Sequence, residues 1–226
     1  MAVFVEASRV LTSLTAPLEK RCLIWLAQRM PSWVNSDHLT ALALASMFLA
    51  GASYTLASVS PVGLVLVVPC LALNWFGDSL DGTLARVRGH QRPRYGFYVD
   101  HIVDAAGTTA LLGGLALSGY MSPLIALGLL IGYLLVSIEA FLATHCLGSF
   151  TLSFMKLGPT ELRILLAIGT VTLLVHPQAT IAGYEFQLFD VGGLAGIVGL
   201  TGAFVTVAIR NTRALYRAEP LPGSKR

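Results

Sequence analysis

Six apolar stretches, each close to the ~20 residues needed to cross a bilayer, occupy most of this chain. They run Leu39–Ser58, Val62–Ala85, Tyr95–Ser118, Pro123–His145, Glu161–His176 and Val191–Ile209. The chain is 55% hydrophobic and only 12% charged, with a mean hydropathy of +0.72, too apolar for a soluble surface. The expectation is an all-α, polytopic membrane protein with six transmembrane helices. The fifth stretch is short, so its helix starts earlier in the chain or is tilted.

Positive charge is placed on one side only. Arg9, Lys20, Arg21 and Arg29 precede the first stretch; Arg86, Arg88, Arg92 and Arg94 lie at or between the second and third; Lys156 and Arg163 mark the junction of the fourth and fifth. Arg210, Arg213, Arg217, Lys225 and Arg226 follow the sixth. The opposite loops, around Ser60, Tyr120 and Gln178–Gln187, hold no Lys or Arg. By the positive-inside rule both termini and the loop after the second stretch are cytoplasmic. The net charge of +3 therefore serves topology and attraction to anionic lipid, and nucleic acid is not an expected partner.

The first thirty residues have no continuous apolar core and do not read as a cleavable signal peptide. Val3, Phe4, Val10, Leu11, Leu14 and Leu18 recur at helical spacing, which predicts an amphipathic helix along the cytoplasmic interface. Residues 1–34 are thus a juxtamembrane segment of a single domain spanning 1–218, and 219–226 a flexible tail. Cys22, Cys70 and Cys146 are too few and too scattered to suggest a disulfide framework.

Four carboxylates stand in two pairs, Asp78 with Asp81 and Asp100 with Asp104, at spacings that put each pair on one helix face. Ionisable groups beside apolar stretches are costly and usually functional. Asp78 lies roughly 24 Å along the second stretch, and Asp100 and Asp104 about 7 and 13 Å into the third. The pairs can therefore meet at one level, near the cytoplasmic surface. Hard oxygen ligands point to magnesium, manganese or calcium rather than zinc.

The run Asp78-x2-Asp81-Gly82-x2-Ala85-Arg86, a spacer of nine residues, then Gly96-x3-Asp100-x3-Asp104, resembles the signature of the CDP-alcohol phosphotransferases, and every fixed position is filled. The resemblance implies transfer of a phosphatidyl or phospho-alcohol group from a CDP-linked donor to an alcohol, with release of CMP. It implies magnesium, with manganese as a substitute and two ions in the site. Asp78, Asp81 and Asp100 would bind metal, and Asp104 would be the base and also touch metal. Gly82, Ala85, Arg86 and Gly96 would serve the nucleotide, and the protein would form a homodimer in a bacterial inner membrane. Read by themselves, the glycines suit helix packing better than a ligand role, and Arg86 suits an interfacial anchor.

Outside the signature, Thr40 and Asn74 are candidates to reach the nucleotide; Asn35 as a helix cap and Asn74 as an interhelical hydrogen bonder are equal readings. Glu139, Lys156, Glu161 and Arg163 are candidates for the acceptor pocket, with a purely structural Glu139–Arg163 ion pair as the alternative. The short length favours CDP-diacylglycerol as donor over a CDP-amino-alcohol used with diacylglycerol. A cation transporter would place charge nearer the bilayer midplane, and an inactive scaffold has no need of all four aspartates and Arg86.

Overall fold

The computed structural model describes residues 8–9, 16–147, 149–150, 159–219 and 221. Among them are seven helices: α1 (Ala16–Arg29), α2 (Ser36–Ala57), α3 (Val62–Arg88), α4 (Pro93–Ala116), α5 (Pro123–Leu147), α6 (Pro159–Leu173) and α7 (Leu188–Ala218). Ser8–Arg9 (β1) pairs in parallel with Ser149–Phe150 (β2), and Gln178–Ile181 (β3) pairs antiparallel with Tyr184–Gln187 (β4). All six apolar stretches are helical. Four of the helices, α2, α3, α5 and α7, are long and apolar enough to cross a membrane. α4 is long but bears Arg94, Asp100 and Asp104, and α6 has only 15 residues.

Local chemistry accounts for the boundaries. Asn35 caps α2: its side chain accepts from the His38 N–H at 3.0 Å, while His38 Nδ1 accepts from the Asn35 N–H at 3.3 Å. Gly89, in the left-handed conformation at φ 66°, ends α3, and Pro93 opens α4 at a position where its missing N–H is not needed. The connecting loop is thus residues 89–92, and Arg94 belongs to the first turn of α4. α6 begins at Pro159, earlier than Glu161, as the short fifth stretch requires. The loop expected at Gln178–Gln187 is a hairpin, turned by Ala182 and Gly183 at φ 52° and 86°. Of the amphipathic N-terminal segment, Val3, Phe4, Val10, Leu11, Leu14 and the side chain of Leu18 lie outside the described residues, as do Lys156 and nearly all of the tail.

Lipid is as apolar as leucine, so membrane helices associate through close packing and interhelical hydrogen bonds rather than hydrophobic burial. α2, α3 and α4 follow that rule. A Cβ on Gly77 of α3 would lie 2.6 Å from the Leu39 carbonyl oxygen of α2. Cβ atoms on Gly51 and Gly114 would collide with the backbones of Ala110 and Gly51. One apolar cluster, including Tyr54, Leu64, Leu115 and Phe189, fills the end of the bundle opposite the aspartates. Within it the Tyr54 hydroxyl meets Thr170 Oγ1 at 2.6 Å, tying α2 to α6. A second cluster at the aspartate end joins Leu23 and Ala27 of α1 to Leu39 of α2 and to Leu80 and Leu84 of α3.

Candidate active site

The tight wedge of α2, α3 and α4 sets the position of the acids. Oxygens of Asp78 on α3 and of Asp100 and Asp104 on α4 converge to within 4.8 Å of one another. That is the span of two oxygens around one divalent ion at 2.3–2.6 Å each. All three residues are half-buried, and oxygen-only donors suit a hard cation. The set fits a hard divalent cation.

Asp81 is held differently from its three partners. Its Oδ2 lies 2.6 Å from Thr40 Oγ1, and its backbone carbonyl accepts from Ser36 Oγ at 2.9 Å. Ser36 and Thr40 are one turn apart on α2, so a single helix face fixes this corner of the site. Thr40 thus acts on an aspartate. Asn74, one turn before Asp78, donates from Nδ2 to the Ala43 carbonyl at 3.0 Å, an interhelical bond and one of the two readings open to it. Its Oδ1 is buried without a partner among the described residues.

Arg163 of α6 closes the cluster. Its Nη2 forms an ion pair with Asp78 Oδ2 at 2.5 Å, with both side chains largely shielded. Its Nη1 is buried and has no partner among the described residues. Glu139 lies elsewhere: its Oε1 accepts from Asn211 Nδ2 of α7 at 2.7 Å. The Glu139–Arg163 ion pair allowed by the sequence therefore does not form, because each residue has taken a different partner. Glu161 stands half-buried in the first turn of α6. Asp104 makes no hydrogen bond or ion pair with the described residues, unlike Asp78 and Asp81.

The signature glycines divide from the packing glycines. A Cβ on Gly96 would meet nothing within 4 Å, and one on Gly82 only Arg86 Nη1 at 3.4 Å. Helix packing therefore does not explain them; they leave open space on the faces that carry the acids. Arg86 lies back along α3, with Nη2 donating to Thr83 Oγ1 at 2.9 Å. Ala85 borders a cavity of about 380 Å³ lined also by Asn35, Ser36, Arg88, His90 and Arg92. Arg88 grips the α1–α2 connection, donating to the carbonyls of Met30 at 2.8 Å and Pro31 at 2.9 Å and to that of Val34. Arg92 pairs with Asp37.

Ser36 and Glu19, the latter accepting from Trp75 of α3 and Thr160 of α6, are polar residues near the site that the sequence did not single out. Ser36 lies one turn before Thr40, a spacing that could have flagged it. Nothing in the sequence relates Glu19 to partners as remote as Trp75 and Thr160.

The family model described as CDP-alcohol phosphatidyltransferase matches residues 33–208, which take in α2 through most of α7. Comparison with proteins of curated function gives no match.

Proposed function

This chain belongs to the CDP-alcohol phosphatidyltransferase family, a family of phosphate-group transferases, and we propose that it transfers a phosphatidyl group from CDP-diacylglycerol to a small polar alcohol, releasing CMP. The observation that carries the reading is the convergence of Asp78, Asp100 and Asp104 beside the partly unsatisfied guanidinium of Arg163. A buried cation with a spare donor suits an anionic acceptor such as a phosphorylated alcohol, since planar N–H pairs match phosphate oxygens. It also favours this donor over a CDP-amino-alcohol, whose amine head would find Glu139 already engaged by Asn211.

In this proposal Asp78, Asp100 and Asp81, the last oriented by Thr40, hold magnesium, and Asp104 borders the ion. The ion, when bound, neutralises the diphosphate and stabilises the departing CMP. The acceptor oxygen attacks the phosphorus that bears diacylglycerol, the bond from that phosphorus to the bridging oxygen of CMP breaks, and the acceptor proton passes to a carboxylate. Asp104 is that base, because its oxygens are not committed to Arg163 or Thr40. The open faces at Gly82 and Gly96 let the nucleotide approach α3 and α4 closely, and Arg86 reaches phosphate.

The reading includes six membrane crossings, with α4 and α6 spanning beside the four apolar helices, α1 along the interface, and the acids on the cytoplasmic side of a bacterial inner membrane. It includes a homodimer. The positive charge confined to one set of loops supports this orientation.

The test is CMP release from radiolabelled CDP donors by purified protein in magnesium, across a panel of alcohols. Asp104→Asn should bind CDP-diacylglycerol with near-normal affinity by calorimetry yet turn over about 10²–10⁴-fold more slowly, the usual loss for a general base. A collapse of donor affinity together with rate would make Asp104 chiefly a metal ligand and overturn its assignment as base.

A further inference from the structure

One oxygen of Glu19 gathers three donors from two other helices. Glu19 Oε1 accepts from Trp75 Nε1 at 2.8 Å and Ser79 Oγ at 3.2 Å, both on α3, and from Thr160 Oγ1 at 2.8 Å on α6. Trp75 and Ser79 bracket Asp78. Thr160 lies one turn before Arg163, whose guanidinium holds Asp78 at 2.5 Å. The contacts form a closed circuit: α1 to α3, through Asp78 to Arg163, back along α6 to Thr160, and again to Glu19.

We propose that Glu19 is a positioning residue for the active site: it fixes the start of α6 against α3, and so sets the reach of Arg163 to Asp78 and to an anionic acceptor. The inference rests on the role given to Arg163 above. α6 needs such a clamp. It is the shortest of the membrane-associated helices after α1, with 15 residues, and its buried residues, Thr170 and Leu173, lie toward its far end. At the near end, Thr160 bonds to Glu19 of α1 and Arg163 to Asp78 of α3. A carboxylate suits the task because bonds to a charged acceptor are roughly twice as strong as neutral ones.

Two measurements test this. The first is CMP release from CDP-diacylglycerol with a mixed pool of serine, glycerol phosphate and inositol phosphate. Thr160→Val, which cuts only the α6 leg and leaves the α1–α3 bonds in place, should slow release roughly tenfold, about the worth of one charge-assisted bond. Glu19→Ala should do the same, and Glu19→Gln, which keeps an acceptor oxygen, should recover most of the rate. Neither Thr160→Val nor Glu19→Ala should add to the defect of Arg163→Ala. The second is the distance distribution between spin labels at Leu73 on α3 and Leu165 on α6 in a cysteine-free background. It should broaden in Thr160→Val and stay narrow in Glu19→Gln. Defects that multiply with Arg163→Ala, or an unbroadened distribution in Thr160→Val, would overturn the clamp. Full activity of Arg163→Ala would instead sink the reading of the site itself. A silent unaltered protein would do likewise, with the label distances still deciding the clamp.

Discussion

In the wedge of α2, α3 and α4, a Cβ added at Gly51, Gly77 or Gly114 would strike backbone atoms of the neighbouring helix; along α7, Gly192, Gly199 and Gly202 would meet nothing within 4 Å. Between these extremes lies the α5–α7 seam, where Gly128 and Gly132 face only the side chains of Ile197 and Leu200. Backbone cannot yield, whereas the tip of an isoleucine can. The contrast teaches where this molecule needs fixed geometry. The wedge carries Asp78, Asp100 and Asp104, whose oxygens must keep their distances from a common centre to within about 0.2 Å. α7 buries only Phe189 and Gly193. Its exposed Leu194, Val198, Val205 and Ile209 suit lipid tails, which tolerate a shifting surface.

The comparison can be broken outright by glycine substitution. Gly51→Val should prevent correct assembly, because overpacking against backbone exceeds the usual ~1–3 kcal/mol of a core insertion. Gly199→Val should leave the thermal midpoint in detergent and the activity unchanged. Similar behaviour of the two variants would end the distinction between wedge and rim. A finer probe is Thr40→Val, which keeps shape but removes the hydroxyl held against Asp81. Turnover should fall roughly tenfold, as for a hydrogen bond to a charged group, with the midpoint little altered; a stability loss without a rate loss would make Thr40 a packing residue. Tyr54→Phe should have the smallest effect. It removes the bond to Thr170 far from the acids, and interhelical hydrogen bonds of this kind average about 0.6 kcal/mol. Equilibrium unfolding should register that small loss while CMP release stays at its normal rate.

What could be read from the residues alone follows this division. Helix positions were legible because apolar length and period are local properties. The acids were legible because Asp78 through Asp104 lie close in sequence, so their meeting needs only one short turn between two helices. Pairing across long separations was not legible. Glu139 and Arg163 look like complementary charges at one membrane depth, yet Asn211 and Asp78 are nearer to them in space. Glu19 gives no sign in the sequence of its bond to Thr160, because that contact depends on how α1 lies across α3 and α6. The hairpin at Gln178–Gln187 was hidden for a different reason. Its signal is a two-residue turn at Ala182–Gly183, and without Asn or Asp there the turn chemistry is weak.

The ion pair between Arg163 and Asp78 has a consequence for the order in which the protein is made. Asp78, Asp100 and Asp104 leave the ribosome well before Arg163, and chains are inserted from the N-terminus onward. During that interval three like charges share one small space with no cation from α6 beside them. Until α6 arrives, only water or a bound cation can offset their repulsion, and the backbone contacts of the wedge at Gly51, Gly77 and Gly114 must hold α2, α3 and α4 together against it. The acid cluster is then completed in two stages, the wedge first and the Arg163 ion pair to Asp78 only once α6 is in place.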